Sequence, residues 1–123
     1  MCIRDSLSWW AHKDDENVLF LKYEDMKKDL LSAVTKIVEF IGFNLDKEVI
    51  REIASKATFE SMKDDSLVNY SWSKLYRQDG PPFIRKGEIG DWKNHFNEEQ
   101  SKRIDDIYLT RFKPAGLELD FTL

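Results

Sequence analysis

The sequence predicts the closing part of an α/β domain, mostly helical, whose other strands lie outside the chain. Three observations carry that prediction. Val18-Leu19-Phe20-Leu21 is a short unbroken apolar run, the pattern of a strand buried on both faces of a parallel sheet. Downstream segments instead repeat apolar side chains at helical spacing. A single strand cannot satisfy its own backbone and needs parallel neighbours, which no other segment supplies.

The elements follow in order. From about Lys27 to Ile41, apolar residues at Leu30, Leu31, Val34, Ile37, Val38 and Ile41 form one helical stripe, and Gly42 stands where a C-terminal cap belongs. A second helix is expected from Lys47 to Lys56, with Asp46 as N-cap and Val49, Ile50, Ile53 and Ala54 turned inward. Thr58 caps a short turn through Met62. A third long helix fits Glu98 to about Thr110, capped by Asn97 with Gln100 three positions on, its inward side at Ile104, Ile107 and Tyr108. Between Ser71 and Pro82 the pattern dissolves into polar residues, glycine and a Pro-Pro pair, which reads as a surface loop.

Composition bounds the function. A chain of 123 residues is expected to form one domain with a modest core. With 19 basic and 23 acidic residues the net charge is −4, the wrong balance for a general nucleic-acid binder. Cys2 is the only cysteine, so no internal disulfide forms. His12 and His95 lie far apart without ligand spacing, which argues against a metal. No stretch approaches a membrane span, and the N-terminus lacks a signal-peptide core.

The chemistry concentrates in Arg85-Lys86-Gly87-Glu88-Ile89-Gly90-Asp91-Trp92-Lys93. Glycine lets the backbone approach a ligand closely, and successive N–H groups in such a turn make an anion-binding concavity. Arginine adds a planar fork matched to phosphate oxygens, and lysine a compact point charge. The plain alternative is a solvated basic turn.

This run, Arg-Lys-Gly-x-x-Gly-Asp-Trp-Lys, resembles the C-terminal signature of the cytosolic sulfotransferases. Leu19-Phe20-Leu21-Lys22-Tyr23-Glu24-Asp25-Met26-Lys27 is a second match, and Thr58-Phe59-Glu60-Ser61-Met62-Lys63 with Asn69-Tyr70 a third. They occur in family order, and the resemblance runs from about Leu7 to Leu123. It implies the C-terminal portion of a P-loop-type parallel-sheet domain that takes 3′-phosphoadenosine 5′-phosphosulfate (PAPS) as sulfuryl donor, without a metal. Arg85, Lys86 and the backbone of Gly87 would hold the 3′-phosphate. Tyr23 would stand at the adenine edge and Phe59 against its ring, with Thr58 and Met62 beside them. Many members carry threonine where this chain has Ala57, so Ala57 would contribute through backbone or packing alone. Ordinary core packing is the competing reading for Tyr23 and Phe59.

Other residues draw structural readings. Trp92 packs, and Asp91 and Lys93 fix the turn. Trp9 and Trp10 match a tryptophan pair placed before the strand and are expected to pack. Glu24 and Asp25 suit a helix N-terminus better than acid–base work. No segment matches the phosphosulfate loop or catalytic histidine of the family, so the chain alone is expected to be inactive, with no catalytic residue of its own.

The resemblance further implies a cytoplasmic enzyme acting on a small phenol, steroid, alcohol or arylamine, with no nucleic-acid or membrane partner. The Ser71–Pro82 loop would cover the acceptor pocket, with Leu75, Tyr76 and Phe83 as lining candidates. The family's dimer segment begins at the lysine matched by Lys93, but Asn97 and Glu98 replace its Thr-Val and Lys102 its glutamate, so dimerisation there is doubtful. Met1–Ser6 has no family counterpart and matches a translation of ATG-TGT-ATA-AGA-GAC-AG, a sequencing-library adapter. Residues 1–6 are therefore expected to be a non-native leader to a single domain part at 7–123. The rival readings are a non-catalytic nucleotide-binding or interaction protein that keeps only the 3′-phosphate loop, and a helical module without a ligand.

Overall fold

Asp29 divides what the periodicity presents as one helix. Its backbone leaves the helical region (φ −142°, ψ 83°), ending one helix and capping the next. The carboxylate accepts from the Ser32 N–H at 2.9 Å and the Ser32 hydroxyl at 2.7 Å. Aspartate offers the backbone this alternative to continued helix, which periodicity alone does not register.

The computed structural model describes residues 3–73, 80 and 82–121. Its helices are α1 (Ile3–Trp10), α2 (Tyr23–Lys28), α3 (Leu30–Phe40), α4 (Lys47–Lys56), α5 (Phe59–Asp64) and α6 (Glu98–Ile107). They fall into two units, Leu21–Gly87 and the pair of segments Met1–Phe20 with Glu88–Leu123.

In Leu21–Gly87, α3 packs on α4 through Val34, Val38 and Ala54, with Leu30, Leu45 and Ile50 around them. Gly42 ends α3 as expected: at φ +77°, it lets the Gly42 N–H reach the Glu39 carbonyl and the Phe43 N–H reach that of Val38. Helix α4 has the expected bounds, and Asp46 is its N-cap residue without a side-chain cap bond. The inward set is narrower than expected, because Val49 and Ile53 are exposed and only Ala54 is buried on α4. A ten-residue helix against one neighbour covers a single narrow stripe, and the flanks stay open to water.

In the other unit, Trp10 donates its indole N–H to the Ala115 carbonyl at 2.9 Å and meets Phe20 edge-on at 4.9 Å. Trp9, expected to pack, is 62% exposed, because the next residue on the helix points about 100° away. Asn97 and Gln100 form a reciprocal capping box at the start of α6. That helix ends earlier than expected, at Ile107, and passes into a π-helical turn over Tyr108–Phe112. The turn buries Phe112, and Leu117 is buried beyond it. Ile104 is exposed, whereas Ile107 and Tyr108 are half-buried. Met1 and Cys2 lie outside the described residues, but α1 begins at Ile3, within the segment where the sequence offers no helical pattern.

No strand forms among the described residues. The expected strand, Val18–Leu21, is half-buried and carries no regular structure. A strand is made by its ladder of partners, and none is present among the described residues. Leu75 and Tyr76 of the expected Ser71–Pro82 loop lie outside the described residues.

Candidate functional site

All the proposed donor-site residues fall in the Leu21–Gly87 unit. Phe59 opens α5, and Thr58 fixes the start of that helix: its hydroxyl oxygen accepts from the Ser61 N–H at 3.3 Å and donates to the Ser55 carbonyl at 3.1 Å. Ala57 closes α4, its N–H shared between the carbonyls of Ile53 and Ala54. Two helix ends thus meet at Ala57 and Thr58, and the ring of Phe59 is set by that junction. Met62 sits one turn on, half-buried, its N–H bonded to the Thr58 carbonyl at 3.0 Å.

Gly87 comes against the Phe59 ring. Its backbone is left-handed (φ +65°), and a β-carbon there would lie 2.2 Å from Phe59 Cδ2 and 2.7 Å from Cγ. Both the conformation and the space require glycine. Arg85 and Lys86, immediately before it, are exposed. A half-buried ring and the basic turn are therefore neighbours.

Tyr23 is the first residue of α2 and 46% exposed. Glu24 and Asp25 occupy the first turn of α2, where carboxylates complement the helix dipole. Lys27 lies one turn beyond Tyr23 on the same face, and its ammonium stands 5.7 Å from the centre of the Phe59 ring. Lys27 lies within the Leu19–Lys27 motif, which gives it no role. The signal was its spacing from Tyr23, which puts both on one face of α2.

Phe83 lines a cavity of about 490 Å³ with Lys63, Asn69, Ser71, Pro82 and Ile84. Phe83 also packs on Tyr70 at 4.5 Å, and Tyr70 stacks on Trp72 at 5.8 Å. Tyr70 holds a left-handed backbone (φ 59°), stabilised as the Ser71 N–H donates to the Asn69 side chain at 2.9 Å.

In the other unit, the carboxylate of buried Asp91 accepts from Asn94 Nδ2 and His95 Nε2, each at 3.1 Å, across the 3₁₀ turn Asp91–Asn94. Asp91 thus fixes the turn. Trp92 packs between Phe96 and Phe121. His12 pairs with Asp15 at 2.8 Å. No cluster of metal-ligating side chains occurs among the described residues, and none of their helices is long and apolar enough to cross a membrane.

Comparison with known proteins gives the family. The rabbit (Oryctolagus cuniculus) Sulfotransferase 1C2 is 43% identical over 117 residues, covering 94% of this chain and 39% of that protein. The rabbit Amine sulfotransferase is 42% identical over 119 residues, covering 94% of this chain and 40% of that protein. Among solved structures, retinol dehydratase with retinol and PAP superposes with a TM-score of 0.86 at 32% identity, over 96% of this chain and 35% of that one. The chain therefore spans about two fifths of the length of the curated relatives it matches. A family model for the sulfotransferase domain matches residues 1–116, and the chain belongs to that family.

Proposed function

We propose that this chain carries the 3′-phosphate and adenine side of the donor site of a PAPS-dependent sulfotransferase. The observation that carries the reading is the packing of Gly87 against Phe59. It makes an aromatic face for a base adjacent to Arg85 and Lys86, so one ligand bearing both an adenine and a 3′-phosphate would engage both. Tyr23, exposed on α2, would meet the base edge, and Ala57, Thr58 and Met62 would form its floor. PAPS supplies the sulfuryl group when bound. The residues here bind and orient it: the arginine fork and lysine neutralise phosphate charge, and the aromatic ring excludes water from the base.

The whole protein would be a cytoplasmic enzyme that sulfonates a small hydroxyl or amine acceptor. Retinol in a structural neighbour and the amine in a relative's name support a small apolar or amine acceptor. The parallel sheet of a P-loop-type domain, with Val18–Leu21 as one strand, would be completed by segments other than these. The chain by itself would lack sulfonating activity, and the Lys93 segment would not dimerise.

Calorimetric titration of the full-length protein with PAP and ADP tests the donor site, because ADP lacks the 3′-phosphate. Arg85→Ala is expected to cost about 1.5–3 kcal/mol of PAP binding, the range for hydrogen bonds to charged groups. That is roughly a ten- to more than hundredfold loss. ADP should change far less. Equal losses for both ligands, or no PAP binding by the unaltered protein, would overturn the reading.

A further inference from the structure

We propose that Lys27 is a positioning residue of the donor site: its ammonium caps the Phe59 ring, holds that ring for base stacking, and adds a cation beside the phosphate turn. The inference rests on the donor-site reading above and assigns a group which that reading leaves idle.

Three relationships converge on one ring. Lys27 Nζ is 5.7 Å from the Phe59 centroid, within the range where a cation is attracted by the ring quadrupole. A β-carbon at Gly87 would meet the same ring at Cδ2, Cγ and Cε2, so the Gly87 backbone lies close beside it. Thr58 fixes the helix start from which the ring projects. Backbone and cap therefore set where Phe59 begins, and its remaining freedom is rotation about its side-chain bonds. Gly87 limits that rotation from one direction, and the Lys27 ammonium favours orientations that present a ring face to it.

Charge gives Lys27 a second effect. Because the Lys27 ammonium stands over the ring that the Gly87 backbone approaches, it belongs to the same local field as Arg85 and Lys86. A net acidic chain needs such local concentration of positive charge to attract a nucleotide phosphate. The stem of Lys27 leaves α2 on the face that carries Tyr23, so the tyrosine and the cation approach the base region from one helix.

The test uses the full-length protein with Lys27→Met, which keeps the stem and removes the charge, and Lys27→Arg, which keeps the cation. Lys27→Met is expected to weaken PAP about three- to tenfold and adenosine about twofold, and Lys27→Arg to bind both within about twofold of the unaltered protein. The Lys27 ε-methylene protons should be shielded by the ring in NMR spectra, and Phe59→Leu should remove that shift. This last readout is independent of any nucleotide. PAP binding that survives Lys27→Met within twofold, or a Lys27→Arg variant as weak as Lys27→Met, would overturn the proposal while leaving the donor site standing. Loss of the Arg85 discrimination between PAP and ADP would instead overturn the donor site, and this proposal with it.

Discussion

Phe59 and Gly87 are in such close register that no side chain fits between them: a β-carbon on Gly87 would stand 2.2 Å from the ring. They are far apart in sequence, yet each restricts the other. Gly87→Ala must both hold alanine in a left-handed backbone and push the ring aside. The first costs about 1–2 kcal/mol and the second, as for other overpacked sites, about 1–3 kcal/mol. We expect a loss of about 2–5 kcal/mol of stability in the full-length protein, with PAP binding at least tenfold weaker. Gly87→Ala combined with Phe59→Leu should recover part of the stability, since the smaller side chain yields space. Thermal unfolding of the single and double variants measures this, and strictly additive losses would contradict it.

Asp29 should give the Leu21–Gly87 unit an acid-sensitive stability. Hydrogen bonds from the Ser32 backbone and then its hydroxyl hold the carboxyl below its ordinary value of 3.8. A depressed folded value means the contribution is whole above the ordinary value and is lost as pH falls through the folded one. Unfolding midpoints measured from neutral pH downward should therefore converge for the unaltered protein and Asp29→Ala. At neutral pH Asp29→Ala should be the less stable. A gap that persists unchanged into strong acid would argue that the carboxylate is not the source.

Asn97 is committed to its helix. Its side chain accepts from the Gln100 N–H at 2.8 Å while Gln100 reaches back to the Asn97 N–H at 3.1 Å. Asn97→Ala should cost about 1 kcal/mol, the usual value of a lost cap. A lower unfolding midpoint without any change in sedimentation coefficient is the expected result. A dimer in the full-length protein that Asn97→Ala or Lys93→Ala dissociates would show that this segment joins subunits.

The 123-residue chain itself should show no donor-dependent sulfonation of a phenol panel. On the proposed reading it would hold a donor, and by sequence it has no match to the family's phosphosulfate loop or catalytic histidine. Turnover above a control lacking enzyme would refute this.

Several helix boundaries with a local determinant were legible. The Lys47–Lys56 helix, the Gly42 cap and the Asn97–Gln100 box all depend on residues within one turn of each other. Burial was less legible, because Val49, Ile53 and Ile104 carry inward periodicity but lie exposed where no second element covers them. Val18–Leu21 forms no strand among the described residues for the same reason: pairing is a property of partners, not of the run itself. For the candidate site, the motif named Arg85–Gly87 and Phe59, while the approach of Gly87 to the Phe59 ring and the position of Lys27 over it are tertiary facts. The break at Asp29 was visible only to a reader who let its side chain compete with the periodicity.

That break bears on how the protein opens in time. A six-residue helix is too short to be stable alone, and α2 is joined to α3 through a residue that is itself outside both helices. Opening α2 therefore does not require α3 to lose a single internal hydrogen bond. Amide hydrogens of Tyr23–Lys28 should exchange with solvent deuterium well before those around Val34 and Val38, as separate cooperative units do. If nucleotide binds as proposed, at Tyr23 on one end of α2 and at the Lys27-capped ring on the other, it would slow the first rate and leave the second almost untouched.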